Sequence, residues 1–323
     1  MNRRLKILIL IRELDKIYPK HIPKYITIKT IEKYADVKYW HTNGNIHQII
    51  KKLNFTPDFI LHYDIGWNYA MAPKITGLNE IKIPKGAFVI DVHYSPQERR
   101  NYFDRNKIDL IFSATKYYFL KVHSKYKEKF RWFPFSINPT IFKDYQLKKD
   151  IDFLLIGQVY DRHRKTGYAS MTPPGKYPFR DEVLAKMKGQ KGFVFHPHPG
   201  HKGTKNSLIN EKYAIELNRS KIFFTCGSKF KYPVMKYFEA PACKTLLLAE
   251  PVPDILELGF KDGVNFVACD KTNFYEKAMY YLKNEKERIR ITENGYKFIH
   301  DYHTDDARAK NFVKEIQEYI NNK

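Results

Sequence analysis

Nine short apolar runs recur along the chain, separated by stretches long enough to hold helices. Four lie early: LKILILI (5–11), DFILHYDI (58–65), AFVIDVH (87–93) and DLIFSA (109–114). Five lie late: IDFLLIG (151–157), GFVFHPH (192–198), KIFFTCG (221–227), KTLLLAE (244–250) and NFVAC (265–269). Short runs rich in β-branched and aromatic residues, alternating with helical spacers, predict βα units and parallel sheets. The rhythm breaks at FPFSINPTIFKDYQLKKD (133–150), whose two prolines and charged end read as a linker. The expected fold class is α/β, with two Rossmann-like domains whose parallel sheets face a central cleft. The expected divisions are 1–137, a linker at 138–150, a second domain at 151–300 and a helical C-terminal segment at 301–323. Ligands then sit at the carboxyl ends of the strands.

A length of 323 residues suits two ordinary domains, and 43% hydrophobic residues can furnish a core for each. No apolar run is long enough to cross a bilayer. The opening MNRRLKILILIREL has the basic-then-apolar order of a signal peptide. However, Arg12, Glu13 and Asp15 follow at once without a small-residue cleavage site, so a buried first strand is expected. Cys226, Cys243 and Cys269 form neither metal spacing nor an evident disulfide framework, which suits a reducing cytoplasm. The formal net charge of +22 would attract nucleic acid, anionic lipid headgroups or phosphorylated ligands, so contact with the inner membrane face is one expectation. Because the lysines are spread along the chain, a lysine-rich composition gives the same total without a dedicated basic face. Neither half carries G-x-G-x-x-G, and the first glycine is Gly44, which argues against a dinucleotide enzyme.

The chemistry concentrates in KIFFTCGSKFKYPVMKYFEAPACKTLLLAE. Gly227, Ser228 and Lys229 follow a strand, and Pro233 stands where a helix is expected to begin. Free loop amides, a helix start and the charges of Lys229 and Lys231 would together hold an anion. The helix VMKYFEAPAC would then carry Glu239 on the same face as Met235. Such a carboxylate can accept both hydroxyls of a ribose while the loop holds a diphosphate. The plainer alternative makes Glu239 a surface acid paired to Lys236 or Lys244.

From Ser220 to Arg308 the landmarks LNRSKIFFT, KYFEAPACKTLLLAE, PDILELGFKDGVNFVAC, YYLKN and NGYKFIHDYHTDDAR come in order. In that order they resemble the nucleotide-binding half of GT-B glycosyltransferases, specifically the group-one type of the CgeB-like, spore-maturation branch. The resemblance implies that Glu239 binds the donor ribose. INPTIFK, DIDFLLIGQVYD and YPFRDEVL are similar to the family's entry into the second domain, which places Gly157 and Arg180 near the donor phosphates. Lys231 stands where many group-one enzymes carry the first of two glutamates, and is the candidate catalytic group from the second domain. By the same resemblance His93, with Asp91 beside it in AFVIDVHYSP, is the candidate for the histidine that approaches the donor sugar from the first domain; the plainer alternative is a capped strand end with a satisfied polar pair. The resemblance further implies a C-terminal helix packed back on the first domain, and retention of configuration.

Other features have two readings. FVFHPHPGHKG brings His196, His198 and His201 close in sequence, but prolines interleave them, so no metal site is expected and His198 is taken as a cleft-lining contact to phosphate or sugar. Asp64, near Trp67 and Tyr69 in HYDIGWNY, is a candidate for lining an acceptor site or else part of an ordinary core. RHRKTGYASMTPPGKYPFR adds Arg162, Arg164 and Lys165 to Arg180 as cations for a diphosphate. Its aromatics, Tyr168, Tyr177 and Phe179, form no recognised nucleic-acid module.

The expected function is transfer of a sugar from a nucleotide-diphosphate sugar, a UDP-sugar first, to an acceptor of unknown identity. An anionic or lipid-linked glycan suits the basic charge. Cationic side chains at the leaving diphosphate would replace an obligatory metal cofactor. The rivals are a nucleic-acid binder using the +22 surface, an epimerase on the same scaffold, and a degenerate donor-binding protein in which Lys231 marks lost catalysis.

Overall fold

The computed structural model describes residues 3–160, 172–200 and 207–323. The chain forms two compact units: Met1–Pro134 together with Asp305–Lys323, and Phe135–Thr304.

The first unit is built on strands β1 (Lys6–Leu10), β2 (Asp36–Trp40), β3 (Gly44–Asn45), β4 (Phe59–His62), β5 (Ile75–Thr76), β6 (Lys85–Val89), β7 (Leu110–Ser113) and β8 (Phe130–Trp132). Six of them form one parallel sheet in the order β2-β1-β4-β6-β7-β8, and β3 pairs with β5 apart from it. Helices cover the sheet, so β4, β6 and β7 are buried along their whole length, as continuous apolar runs in a parallel sheet should be. Leu8, Leu10, Ile60, Val89 and Ile111 pack with Ile46 and Ile49 of helix Ile46–Leu53 and with Tyr102 and Phe103 of helix Pro96–Arg105. Asn45 caps the first of these helices, its side chain accepting from the His47 amide at 3.0 Å. The C-terminal helix Asp305–Asn321 belongs to this unit. Thr27 Oγ1 donates to Asp305 at 2.7 Å, Tyr319 donates to Asp109 at 2.6 Å, and the Phe312 ring lies 4.6 Å from that of Phe112.

The run AFVIDVH does not stay in the ladder. Strand β6 ends at Val89, because the Ile90 amide donates to the Asp64 carboxylate at 2.9 Å instead of to a neighbouring strand. Asp91 and His93 therefore lie in the following loop rather than on a strand end.

The second unit carries β9 (Ile151–Gly157), β10 (Phe193–Pro197), β11 (Ser220–Thr225), β12 (Leu246–Ala249) and β13 (Val267–Ala268), all parallel, in the order β10-β9-β11-β12-β13. Side chains alternate across it. Leu154, Ile156, Phe223 and Leu247 face one core with helices Asn210–Asn218 and Lys236–Ala242. Phe153, Leu155, Ile222 and Leu248 face the other, with helix Pro178–Met187. From β9 the chain moves one way to β10, then crosses back to β11 on the opposite side of β9. The strand order thus reverses between β9 and β11, and the crevice at their carboxyl ends is where ligands of open α/β sheets sit.

Candidate functional site

At that crevice β9 ends on Gly157, whose φ of +150° is strained for any side chain. A Cβ there would meet Arg180 Nη1 at 2.9 Å, so the glycine lets the guanidinium lie against the backbone. Arg180 comes from the first turn of helix Pro178–Met187, its Cζ lies 4.3 Å from the Tyr177 ring centroid, and it is 4% exposed. Among the described residues its Nε has no hydrogen-bond partner. A buried, unpartnered guanidinium N–H is costly unless something fills it.

After β11 the chain turns through Cys226, Gly227 and Ser228. Gly227 is required by close approach: a Cβ would sit 2.6 Å from Val252 Cγ1 and 2.9 Å from the Tyr232 carbonyl oxygen. Ser228 and Lys231 take left-handed backbone conformations, with φ of 59° and 54°. Burial pushes the Cys226 thiol up, against the Arg180 guanidinium, which pulls it down. The Thr225 hydroxyl at the end of β11 is fully buried and also lacks a partner.

Two carboxylates complete the cluster. Glu239 sits in the first turn of helix Lys236–Ala242, is 6% exposed, and accepts a hydrogen bond from Tyr213 Oη at 3.1 Å. Burial, followed by the Glu239 charge, holds the Tyr213 hydroxyl well above the ordinary phenol range, so it remains a donor. Arg180 acts on the same hydroxyl in the opposite sense, which puts it in the same electrostatic neighbourhood. Glu250 follows β12, with Oε1 3.0 Å from Lys231 Nζ and Oε2 buried without a partner. Its carbonyl accepts from Tyr237 Oη at 2.7 Å.

Several expectations change here. Glu239 is buried rather than a surface acid, and Lys244 pairs with Asp144 and Glu293. Pro233 does not open the helix, which starts at Lys236 after Met235. Four of the loop amides are also taken up within the chain. Those of Lys229, Phe230, Lys231 and Tyr232 donate to the Lys176 carbonyl, the Ser228 hydroxyl, the Ser228 carbonyl and the Gly227 carbonyl. Lys229 is exposed, with Nζ 5.3 Å from the Phe230 ring centroid. His198 lies just past β10, its Nδ1 accepting from the Gly200 amide at 3.1 Å, while His196 pairs with Glu216 at 2.7 Å. Arg162, Arg164, Lys165, Tyr168 and His201 lie outside the described residues. Among those described, no group of three or more His, Cys, Asp and Glu could hold a metal.

In the first unit, Asp64 is fully buried rather than lining a surface. It accepts from Gly66 N at 2.8 Å, Ile90 N at 2.9 Å and Arg99 Nη1 at 2.5 Å. Asp91 accepts from Trp67 Nε1 at 2.9 Å, and the Trp67 indole stacks on Tyr94 with centroids 3.9 Å apart. Trp67, Asn68 and Tyr69 are consecutive left-handed residues, a turn that costs about 1–2 kcal/mol per residue. His93 stands in the same loop, half-buried. Glu250 was missed by sequence reasoning, although a charged residue closing a run as apolar as TLLLA is a visible signal.

The profile of the glycosyl transferase-like family matches residues 145–314, more than half of the 323. The chain belongs to that family. No curated protein matches the sequence significantly. Among solved structures, a glycosyltransferase from Rickettsia africae aligns over 100% of both chains at 12% identity, with a TM-score of 0.62. Sucrose-phosphate synthase from Thermosynechococcus elongatus aligns over 99% of this chain and 100% of its own, at 10% identity and a TM-score of 0.60. Anabaena HepE in complex with UDP and glucose aligns over 97% of this chain and 99% of its own, at 10% identity and a TM-score of 0.59. Identities this low speak for the fold alone. That fold is the α/β, parallel-sheet architecture of GT-B glycosyltransferases, and with the family membership it makes this chain a glycosyltransferase. No helix among the described residues is long and apolar enough to cross a membrane.

Proposed function

We propose that the chain transfers a sugar from a UDP-sugar to an anionic or lipid-linked glycan acceptor, with retention of configuration and without an obligatory metal, as a member of the CgeB-like branch. The observation that carries this reading is the buried Arg180 with its unpartnered Nε, gathered with Glu239 at the carboxyl end of a parallel sheet where the strand order reverses. A pyrophosphate is acceptor-only and doubly charged, which is what a preorganised guanidinium satisfies. Ribose hydroxyls are donors, which is what a buried carboxylate satisfies. HepE, a fold relative, holds UDP and glucose in its crystal structure, which supports uridine as the base.

The role of each group follows from its charge. Glu239 accepts from the ribose. Arg180, with Gly157 giving it room, neutralises negative charge growing on the departing diphosphate, a task for which fixed cations in a dry site are effective. Lys229 adds long-range positive charge, Gly227 and Ser228 shape the turn, and His198 contacts phosphate from the neighbouring strand end. His93 and Asp91 are the candidate catalytic groups, and Lys231, paired with Glu250, acts from the second unit on the sugar end of the donor. The +22 charge suits an anionic acceptor and contact with anionic lipid.

A thermal-shift panel of UDP, GDP, TDP and CMP with their sugar conjugates tests the reading. UDP and one UDP-sugar should raise the melting temperature, since a ligand at a hundred times its Kd stabilises by about 2.7 kcal/mol. A flat response across the whole panel would overturn it.

A further inference from the structure

Glu250 poses a separate problem from Glu239. Its carboxylate is 9% exposed at residue level and is only half used: Oε1 takes the Lys231 ammonium at 3.0 Å, and Oε2 is buried without a partner. The residue is held from both sides. Its amide donates to the Thr225 carbonyl at 3.4 Å and its own carbonyl takes the Tyr237 hydroxyl at 2.7 Å. Two positions on, Val252 packs on Gly227. Glu250 also shares its surroundings with Arg180, since both act electrostatically on the Cys226 thiol and the Tyr237 hydroxyl. A fixed, buried carboxylate with one oxygen unpartnered among the described residues, at the same sheet end as the cation assigned to the diphosphate, needs a donor. Phosphate oxygens only accept, so they cannot supply it, whereas a sugar hydroxyl can.

We propose that Glu250 is a specificity-determining ligand of the transferred sugar, its Oε2 accepting a hydrogen bond from one of that sugar's hydroxyls, with Lys231 as the positioning residue that fixes its rotamer through Oε1. This rests on the nucleotide-sugar reading above and deepens it. Glu239 takes the nucleotide end of the donor and Glu250 the sugar end, so the two carboxylates divide the ligand between them. Lys231, 59% exposed along its side chain, acts on the sugar through Glu250 and not through contact with the nucleotide.

The division gives a test by calorimetry with UDP and UDP-glucose as probes, in the unmodified protein, Glu250→Gln and Lys231→Met. The expected result is that UDP binds all three alike. The extra affinity of UDP-glucose over UDP should fall about tenfold in Glu250→Gln, the scale of one hydrogen bond to a charged group, and by less in Lys231→Met. Equal loss of UDP and UDP-glucose affinity in Glu250→Gln would overturn the proposal, because it would make Glu250 a nucleotide ligand or a structural group. An unchanged increment would overturn it too, as would the lack of any increment in the unmodified protein, and both leave the nucleotide reading standing. Failure of UDP to bind the unmodified protein would remove the reading and this inference together. Lys231→Met changes a mostly exposed side chain, so it still reports if Glu250→Gln fails to fold.

Discussion

The carboxyl ends of the two parallel sheets are furnished very differently. In the first unit the buried ion pair there, Asp64 with Arg99, is answered by the protein itself. Asp64 accepts three hydrogen bonds, Arg99 donates to Asp64 and to the Tyr94 and Asp91 carbonyls, and Asp91 takes the Trp67 indole N–H. The Thr115 hydroxyl after β7 is left without a partner, but it carries no charge. In the second unit the matching ends leave Arg180 Nε and Glu250 Oε2, both on charged groups, buried and without a partner among the described residues, beside the neutral Thr225 hydroxyl. Each such group costs the native state about 1–3 kcal/mol or more. The buried charges at one sheet end answer each other, while those at the other keep polar capacity unused within the described residues.

The comparison breaks most readily at Asp64. Asp64→Ala strands the buried Arg99 guanidinium, and loss of one partner of a buried pair costs about 3–5 kcal/mol. Denaturant unfolding should show that loss in the first unit. A change below 1 kcal/mol would mean the pair is not structural. Arg180→Met should do the reverse in the second unit. Removing a buried, incompletely bonded cation should leave melting temperature unchanged or raised, while UDP affinity falls by about 1.5–3 kcal/mol. A variant that loses stability and keeps affinity would reverse the assignment. Gly227→Ala drives a Cβ into Val252 and the Tyr232 backbone, and should cost about 1–3 kcal/mol of stability in urea titration.

A further effect is set by pH. His123 is buried among Phe103, Phe119 and Tyr126, and burial lowers its imidazole from 6.5 to about 4. Its folded value lies below its unfolded one, so the unfolded chain takes up the proton first. Stability should decline as pH falls from 6.5 toward 4, with His62 contributing over the same window. His123→Leu should flatten that decline in pH-dependent unfolding, and an unchanged slope would place the linkage elsewhere.

What the sequence disclosed follows from the strength of its signals. Buried central strands announce themselves as apolar runs, and IDFLLIG matches β9 residue for residue. Edge strands do not: β2 is DVKYW, half polar because one side meets solvent, and β8 is only FRW. Glu239 was legible because it interrupts an aromatic and small-residue helix. The fate of the loop amides was not, since it depends on left-handed turns at Ser228 and Lys231, residue types with no strong preference for them. The pairing of Lys231 with Glu250 joins positions 19 apart across two strand ends, and no local pattern encodes it.

The central claim is that Glu239 grips the ribose of a bound nucleotide. Titration calorimetry of UDP into Glu239→Ala beside the unmodified protein tests it most directly, with melting temperatures recorded for both. The expected result is a folded variant whose UDP affinity is about a hundredfold lower, the scale of two hydroxyl contacts to a carboxylate. A folded variant that binds UDP as tightly as the unmodified protein would contradict it.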